Sequence, residues 1–510
     1  MPESPLDSSE NLNSKTEAIS EPHISSAPEA ANSRVLTIHE TESFPASKTN
    51  AKPVSERRGV LSMVTLIPEY YNPKNYSRLQ KRLLLAVVAF AGTSGPMGTS
   101  IMLPTVSDIS RSLNTKDSIV NISVGIYLLA LGIFPMWWSN FAENHGRRNV
   151  YVTSFFIFLV FTLGSCFVRS IEALIVLRFL SGIGASAIQA CGAATVADLF
   201  IQEERGTALG LFYLGPLLGP FISPVLGGAT SEAWGWRASL WVMVIICLFN
   251  LLLIVFLLPE TSQHVNSNET KKNWLSSSYD CLIRPLHAVV LVKYPPVALL
   301  ILYSSIGFMG VYFLNISLTY NFSRKPYNFN IILVGLTYIP NSVAYILTSI
   351  YGGKLNDFLL RRYAKRHGGK LRMEARISWN VVTSAIIYPP ACALYGWSIH
   401  CGAPWAVPLI GSAFFGISTM LLISVTMTCL VDILPGKGGT AIAVNNLFRQ
   451  SLATIATFTA EPLMSAVGTG VLFSIYAGII TIAVYSMWHL KKNMARYESQ
   501  YSLDELYALL

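Results

Sequence analysis

Residues 139–148 run Ser139-Asn-Phe-Ala-Glu143-Asn-His-Gly146-Arg147-Arg148, and residues 353–362 run Gly353-Lys-Leu-Asn-Asp357-Phe-Leu-Leu-Arg361-Arg362. A small residue, an acid and two arginines recur at a single offset of 214 residues. Each stretch also follows the second apolar segment of a run of six, so the copies occupy matching places. A chain whose second part repeats the plan of its first is expected to fold as two like halves.

The composition around these stretches identifies the solvent of those halves. Of 510 residues, 52% are hydrophobic and 13% charged, where a soluble domain carries about 25% charge. The mean hydropathy is +0.46. Twelve apolar segments of roughly 20 residues, the length that crosses about 30 Å of hydrocarbon, fall at 83–105, 119–139, 149–168, 173–197, 206–228, 238–258, 295–317, 331–353, 378–397, 405–431, 438–461 and 469–489. The expected fold is therefore an all-α polytopic membrane protein with twelve transmembrane helices. A six-helix half at 83–258 and another at 295–489 are separated by a polar middle loop, 259–294. A Ser-, Glu- and Pro-rich tail, 1–82, reads as disordered with a basic membrane-proximal end, and 490–510 as a short C-terminal tail. No signal-peptide h-region follows Met1, so the first apolar helix is expected to direct insertion. The seven Cys are odd in number and lack metal or redox spacing.

Lys and Arg counts set the orientation. With the N-terminus cytoplasmic, 25 of the 37 basic residues fall in the inner loops and near-membrane tails, and six in the outer loops. Both termini are then cytoplasmic. The net charge of +9 reads as this bias, with attraction to anionic lipid, rather than as a nucleic-acid surface. Most tryptophans (137, 138, 234, 236, 397, 405, 488) fall at segment ends, as an interfacial belt requires.

The two loop stretches resemble the G-x-x-x-D-R-x-G-R-R signature of the major facilitator superfamily. The second copy keeps Gly353, Asp357, Arg361 and Arg362; the first has Ser139 for Gly, Glu143 for Asp and Asn144 for Arg. Segment four, Arg178-Phe-Leu-Ser181-Gly182-Ile-Gly184, is similar to the R-x-x-x-G-x-G motif of drug:proton antiporters. Segment five carries Gly215, Pro216, Gly219, Pro220, Pro224, Gly227 and Gly228, which looks like the fifth-helix antiporter motif separating exporters from symporters. Leu258-Pro259-Glu260-Thr261 closes segment six in keeping with the same family. Together they resemble the fungal twelve-helix drug:proton antiporters, in the branch of quinidine-resistance and dityrosine exporters. The resemblance implies alternating access driven by the proton gradient, with no other cofactor and a monomer in the plasma membrane; vacuolar or spore membranes are alternatives. It also makes Arg178 the arginine of proton coupling.

The residues support separate expectations. Segment five's small residues allow close backbone approach, and its prolines delete helical hydrogen bonds, as a bending gate helix needs. Arg178 and Arg449 are the Lys or Arg residues well inside segments; each costs on the order of 2.5–3.5 kcal/mol there and should face a polar cavity or a partner. Asn445 and Asn446 lie one turn before Arg449. Arg449 reads either as a structural latch or as the residue tuning substrate charge. Asp198 lies twenty residues past Arg178, roughly 30 Å along a helix, so the two do not pair; Arg205 or a gate are its partners in reach. Glu143 and Asp357 are placed to dock on helix N-termini, with the Pro435–Thr440 turn available to Glu143. Tyr127, Gln189, Asn315, Tyr338 and Asn341 are polar or aromatic mid-helix positions and candidate cavity residues. No acid sits at the middle of any segment, so coupling falls to Asp108, Asp198 or Glu461.

No G-x-x-x-x-G-K-[ST], H-E-x-x-H or G-x-S-x-G occurs, so neither an ATP-driven pump nor a membrane enzyme is indicated, and no metal site is expected. The expected function is export of amphipathic organic compounds, drugs or polyamines and other organic cations. A nutrient or metabolite symporter and a transporter-like receptor are the rival readings.

Overall fold

The structure, a computed structural model, describes residues 59–70, 72–262, 286–351, 379–434 and 438–500. The helices before the middle loop are α1 Arg78–Ser100, α2 Val106–Ser112, α3 Asp117–Ile133, α4 Pro135–His145, α5 Arg147–Cys166, α6 Ile171–Leu199, α7 Gln202–Trp234 and α8 Arg237–Leu257. After it come α9 Pro295–Phe322, α10 Ile331–Tyr351, α11 Trp379–His400, α12 Ala406–Ile433, α13 Gly438–Val467 and α14 Thr469–Gln500. Every expected apolar segment coincides with a helix. Nine helices among the described residues are long and apolar enough to cross a membrane, and α3 with α4 makes a tenth if that pair is one span. α11 and α13 are helical but not among those ten. In α13 the sequence gives a reason: Asn445, Asn446, Arg449 and Gln450 interrupt its apolar run.

Local chemistry sets several boundaries. Ser77 and Gln80 cap α1 reciprocally through side chain and backbone, starting the helix five residues before the apolar segment. The second segment breaks at Phe134: Pro135 has no N–H to donate into the preceding turn, and α3 meets α4 at 41°. α14 runs on to Gln500, well past the apolar segment that ends at 489.

Residues 59–77 correct the expectation of a disordered tail reaching 82. Ile67 and Tyr76 are buried, Leu66 N–H donates to the Phe256 carbonyl at 2.8 Å, and Val60 N–H to Asn149 Oδ1 at 2.6 Å. These residues carry enough apolar surface to pack on the ends of α5 and α8, which the polar stretch before them lacks. Residues 1–58, 263–285 of the middle loop, and 435–437 lie outside the described residues, as do Gly353, Asp357, Arg361 and Arg362.

The packing that positions the site is that of α7. Gly215, Gly219 and Gly227, spaced four and eight residues apart, share one face, and a Cβ on each would collide with the carbonyls of Ala89, Thr93 and Ile101 along α1. Gly228 meets the Ile331 carbonyl of α10, and Gly335 of α10 meets the Pro224 carbonyl of α7. The fifth-helix motif is thus a seam of direct backbone contact. One side binds α1, and the other binds the chain beyond the middle loop.

Candidate functional site

The end of the bundle where α1 begins is termed proximal and the opposite end distal. At the proximal end, α5 and α8 cap one another. The fully buried Arg148 guanidinium donates to the carbonyls of Ile254 (3.3 Å), Val255 (2.9 Å) and Leu258 at the end of α8, and to Val60 (3.0 Å) and Leu61 (2.9 Å) of the tail. In return the buried Glu260 carboxylate accepts from the first N–H groups of α5, Arg147 at 2.9 Å and Arg148 at 3.1 Å, and from Thr261 and Ser262 at 2.9 and 2.8 Å. Burial pushes the Glu260 carboxyl above its usual range, partly offset by these four donors. An acid at the positive end of one helix and an arginine at the negative end of its neighbour is the favourable arrangement for both dipoles. The motif residues at 258–261 announced a helix end but not this partner, because the two sites are over 110 residues apart in sequence.

Arg147 donates from Nε to Asp198 Oδ2 at 3.4 Å, so Asp198 faces the gate loop, one of the two options left open. Glu143 is exposed, within electrostatic reach of Arg147. Glu260 fills the N-terminus of α5 at this end, while part of the 435–440 turn expected to receive Glu143 lies outside the described residues.

Arg178 lies buried in α6 with its guanidinium carbon 4.4 Å over the Tyr127 ring and donates to the Gly98 carbonyl of α1. Tyr127 in turn donates to the Gly95 carbonyl at 3.0 Å. Tyr127 is therefore a structural partner of Arg178 rather than a free cavity wall. Tyr338 is likewise engaged, with Thr319 Oγ1 at 2.6 Å and the Asn315 carbonyl at 2.7 Å. Asn315 and Asn341 are buried, Asn341 Oδ1 lacking a partner, and Gln189 is half-buried.

Arg449 differs. Its guanidinium carbon stacks 4.4 Å over Phe308 of α9, its Nε lacks a partner as that of Arg178 does, and among the described residues no carbonyl accepts from it as Gly98 does from Arg178. The neighbouring Asn445, Asn446 and Gln450 are buried, each with its side-chain oxygen unpartnered. Among the described residues no carboxylate pairs with it.

The distal end joins the two parts of the chain. Arg324, after α9, reaches Asp117 Oδ2 of α3 at 3.2 Å and Glu461 Oε1 of α13 at 3.6 Å. Glu461 Oε2 accepts from Asn121 at 3.0 Å, and Asp117 from Ser107 (3.1 Å) and Ser110. Asp117 was missed because it opens a helix next to Lys116 and reads as an ordinary first-turn acid. Asp108, the expected candidate, makes an exposed pair with Arg111 instead, at 3.4 Å. Thr319 Oγ1 donates to the Leu103 carbonyl at 3.1 Å and Thr454 Oγ1 to the Gly125 carbonyl at 3.0 Å. Phe458 and Gln450 of α13 press on Gly125 and Gly132 of α3. This closure runs about 16 Å down α3 from Asn121 to Gly132, at 1.5 Å per residue.

A bundle of apolar helices in two linked parts, closed at its distal end by polar contacts between them, has the architecture of a membrane transporter. The chain belongs to the major facilitator superfamily, whose family model matches residues 88–457. It is 42% identical to "MFS antiporter QDR3" of Candida albicans, over 91% of this chain and 85% of that one. It is 33% identical to "Quinidine resistance protein 3" of Saccharomyces cerevisiae, over 89% and 88%. In structure it resembles a D-xylose-proton symporter, with a TM-score of 0.63 at 15% identity, over 80% of this chain and 97% of that one, a likeness of fold.

Proposed function

We propose that the chain exports amphipathic organic compounds from the cytoplasm by alternating access, coupled to inward movement of protons. The names of its antiporter relatives support the direction and the coupling. The Lys and Arg distribution supports proximal as cytoplasmic and distal as external, at the plasma membrane. The observation that carries the reading is the distal closure. It is made of few polar contacts and glycine seams between the parts of the chain, which can separate without unfolding either part. On this reading the structure is the state closed to the outside.

The coupling site follows from charge at that closure. Arg324 faces two carboxylates, Asp117 and Glu461, so one negative charge is left over, and a proton arriving from outside removes it. The protein is proposed to act as a monomer in the bilayer, with a small molecule and the proton gradient as its only needs. Purified protein in liposomes with an imposed pH gradient tests this. Uptake of a fluorescent amphipath against a proton flux is expected, and Glu461→Gln should abolish the dependence on the gradient while permitting exchange. Movement in the same direction as protons would overturn antiport.

A further inference from the structure

Among the described residues, no group completes the hydrogen bonding of Arg449. Its guanidinium is planar and cannot shed its proton, so within the bilayer it needs either water or an anion. Stacking on Phe308 covers one face of the plane and offsets only part of the cost of the charge. What stacking leaves unsatisfied is the edge, where Nε is enclosed and has no acceptor among the described residues. An Nε–Nη edge presents two parallel N–H donors at the spacing of a carboxylate's oxygens.

The surroundings fit an anion better than a cation. The titratable groups in electrostatic contact with Arg449 are the phenols of Tyr312 and Tyr213. The sequence's acidic candidates are all engaged elsewhere: Asp108 with Arg111, Asp198 with Arg147, and Glu461 with Arg324 and Asn121. Asn445, Asn446, Arg449 and Gln450 fall within about 140° of the helix circumference, at 100° per residue. Their three buried amide oxygens without partners are acceptors awaiting donors, a few ångströms along α13 from the guanidinium. Phe308, Tyr312 and Tyr213 add aromatic surface.

We propose that Arg449 anchors a carboxylate on the transported molecule, with the amides of Asn445, Asn446 and Gln450 receiving a hydrogen-bond donor on the same molecule and the aromatic rings its apolar body. The cargo class is thus an amphipathic organic acid carrying a donor group, rather than a simple lipophilic cation. The proposal rests on the export reading for its biological sense, but the binding site stands or falls separately.

The test uses the purified full-length chain and three matched probes: indole-3-acetate, its neutral amide, and tryptamine. Binding is read by ligand-induced thermal shift and transport by counterflow in liposomes. Wild type should bind the acid about tenfold or more tightly than the amide or the amine. Arg449→Gln should lose that factor for the acid and leave the amide within about twofold; Arg449→Lys, keeping the charge without the fork, should fall between. Equal affinity for acid and amine in wild type, or unchanged acid binding in Arg449→Gln, overturns the anchor, as does failure of all three to bind. Acid binding that depends on Arg449 without counterflow would keep the anchor and defeat the export reading. Counterflow without acid preference would do the reverse.

Discussion

The buried charges before the middle loop and the half-buried one beyond it are handled differently. Arg148 is saturated by five carbonyls and Glu260 by four N–H groups, while Arg178 has one carbonyl and a tyrosine ring, with its Nε left unpartnered. Arg449 has a ring and, among the described residues, no hydrogen bond at Nε. A buried charge completed by the protein contributes to holding helices together, whereas one left incomplete keeps a cost that only a ligand or solvent can offset. The first three are thus parts of the frame, and Arg449 is the one the anchor proposal assigns to cargo.

The harshest test of that contrast is Arg148→Ala. It strips partners from carbonyls at the end of α8 and unpins residues 60 and 61, a loss of about 3 kcal/mol or more. Membrane abundance and the thermal midpoint in detergent should both fall sharply. Normal abundance would show that the reciprocal cap is ornamental. The next test compares like with like. Arg178→Gln should cost about 2 kcal/mol, from one orphaned carbonyl and a lost cation–π contact. Arg449→Gln should stay within about 0.5 kcal/mol of wild type or gain stability, since it removes an uncompensated charge. Equal losses in the two midpoints would erase the distinction drawn between them.

How much of this was legible follows from the range of each interaction. The twelve segments and the bend-prone, glycine-rich fifth helix could be read because hydropathy and small-residue spacing are local properties. So could the isolation of Arg178 and Arg449, since charge within an apolar run needs no partner to be noticed. The partners themselves were not readable. Asp117 finds Arg324 across 207 residues and Asn121 finds Glu461 across 340, and no local pattern marks either pair. Tyr127 and Tyr338 were read as cavity residues because a mid-helix phenol looks the same in sequence whether it faces a void or a neighbouring carbonyl. Asp108 was a candidate and Asp117 was not for a similar reason: both are distal acids, and only the fold shows which one turns inward.

The mildest test concerns Glu260, where the frame's neatest cap still carries a cost. Its carboxyl is pushed up because burial disfavours the charged form more than the four N–H donors favour it. The folded protein therefore holds that proton over a pH range in which the unfolded chain has released it. By linkage, this group's contribution to stability is fully present below about 4.5, the value of a carboxyl free of the fold, and is lost as pH rises through the raised folded value. Glu260→Gln cannot titrate, and its single side-chain oxygen serves fewer of the N–H groups, so the variant should be less stable at every pH but lack this drift. Subtracting its thermal midpoints from those of wild type between about pH 4.5 and 7 isolates the group from every other carboxylate. The difference should shrink as pH rises. A difference that grows with pH would mean that the four donors outweigh burial and that Glu260 is a carboxylate held below its usual range. That would make Glu260 a wholly favourable cap, and it would sharpen the contrast with Arg449.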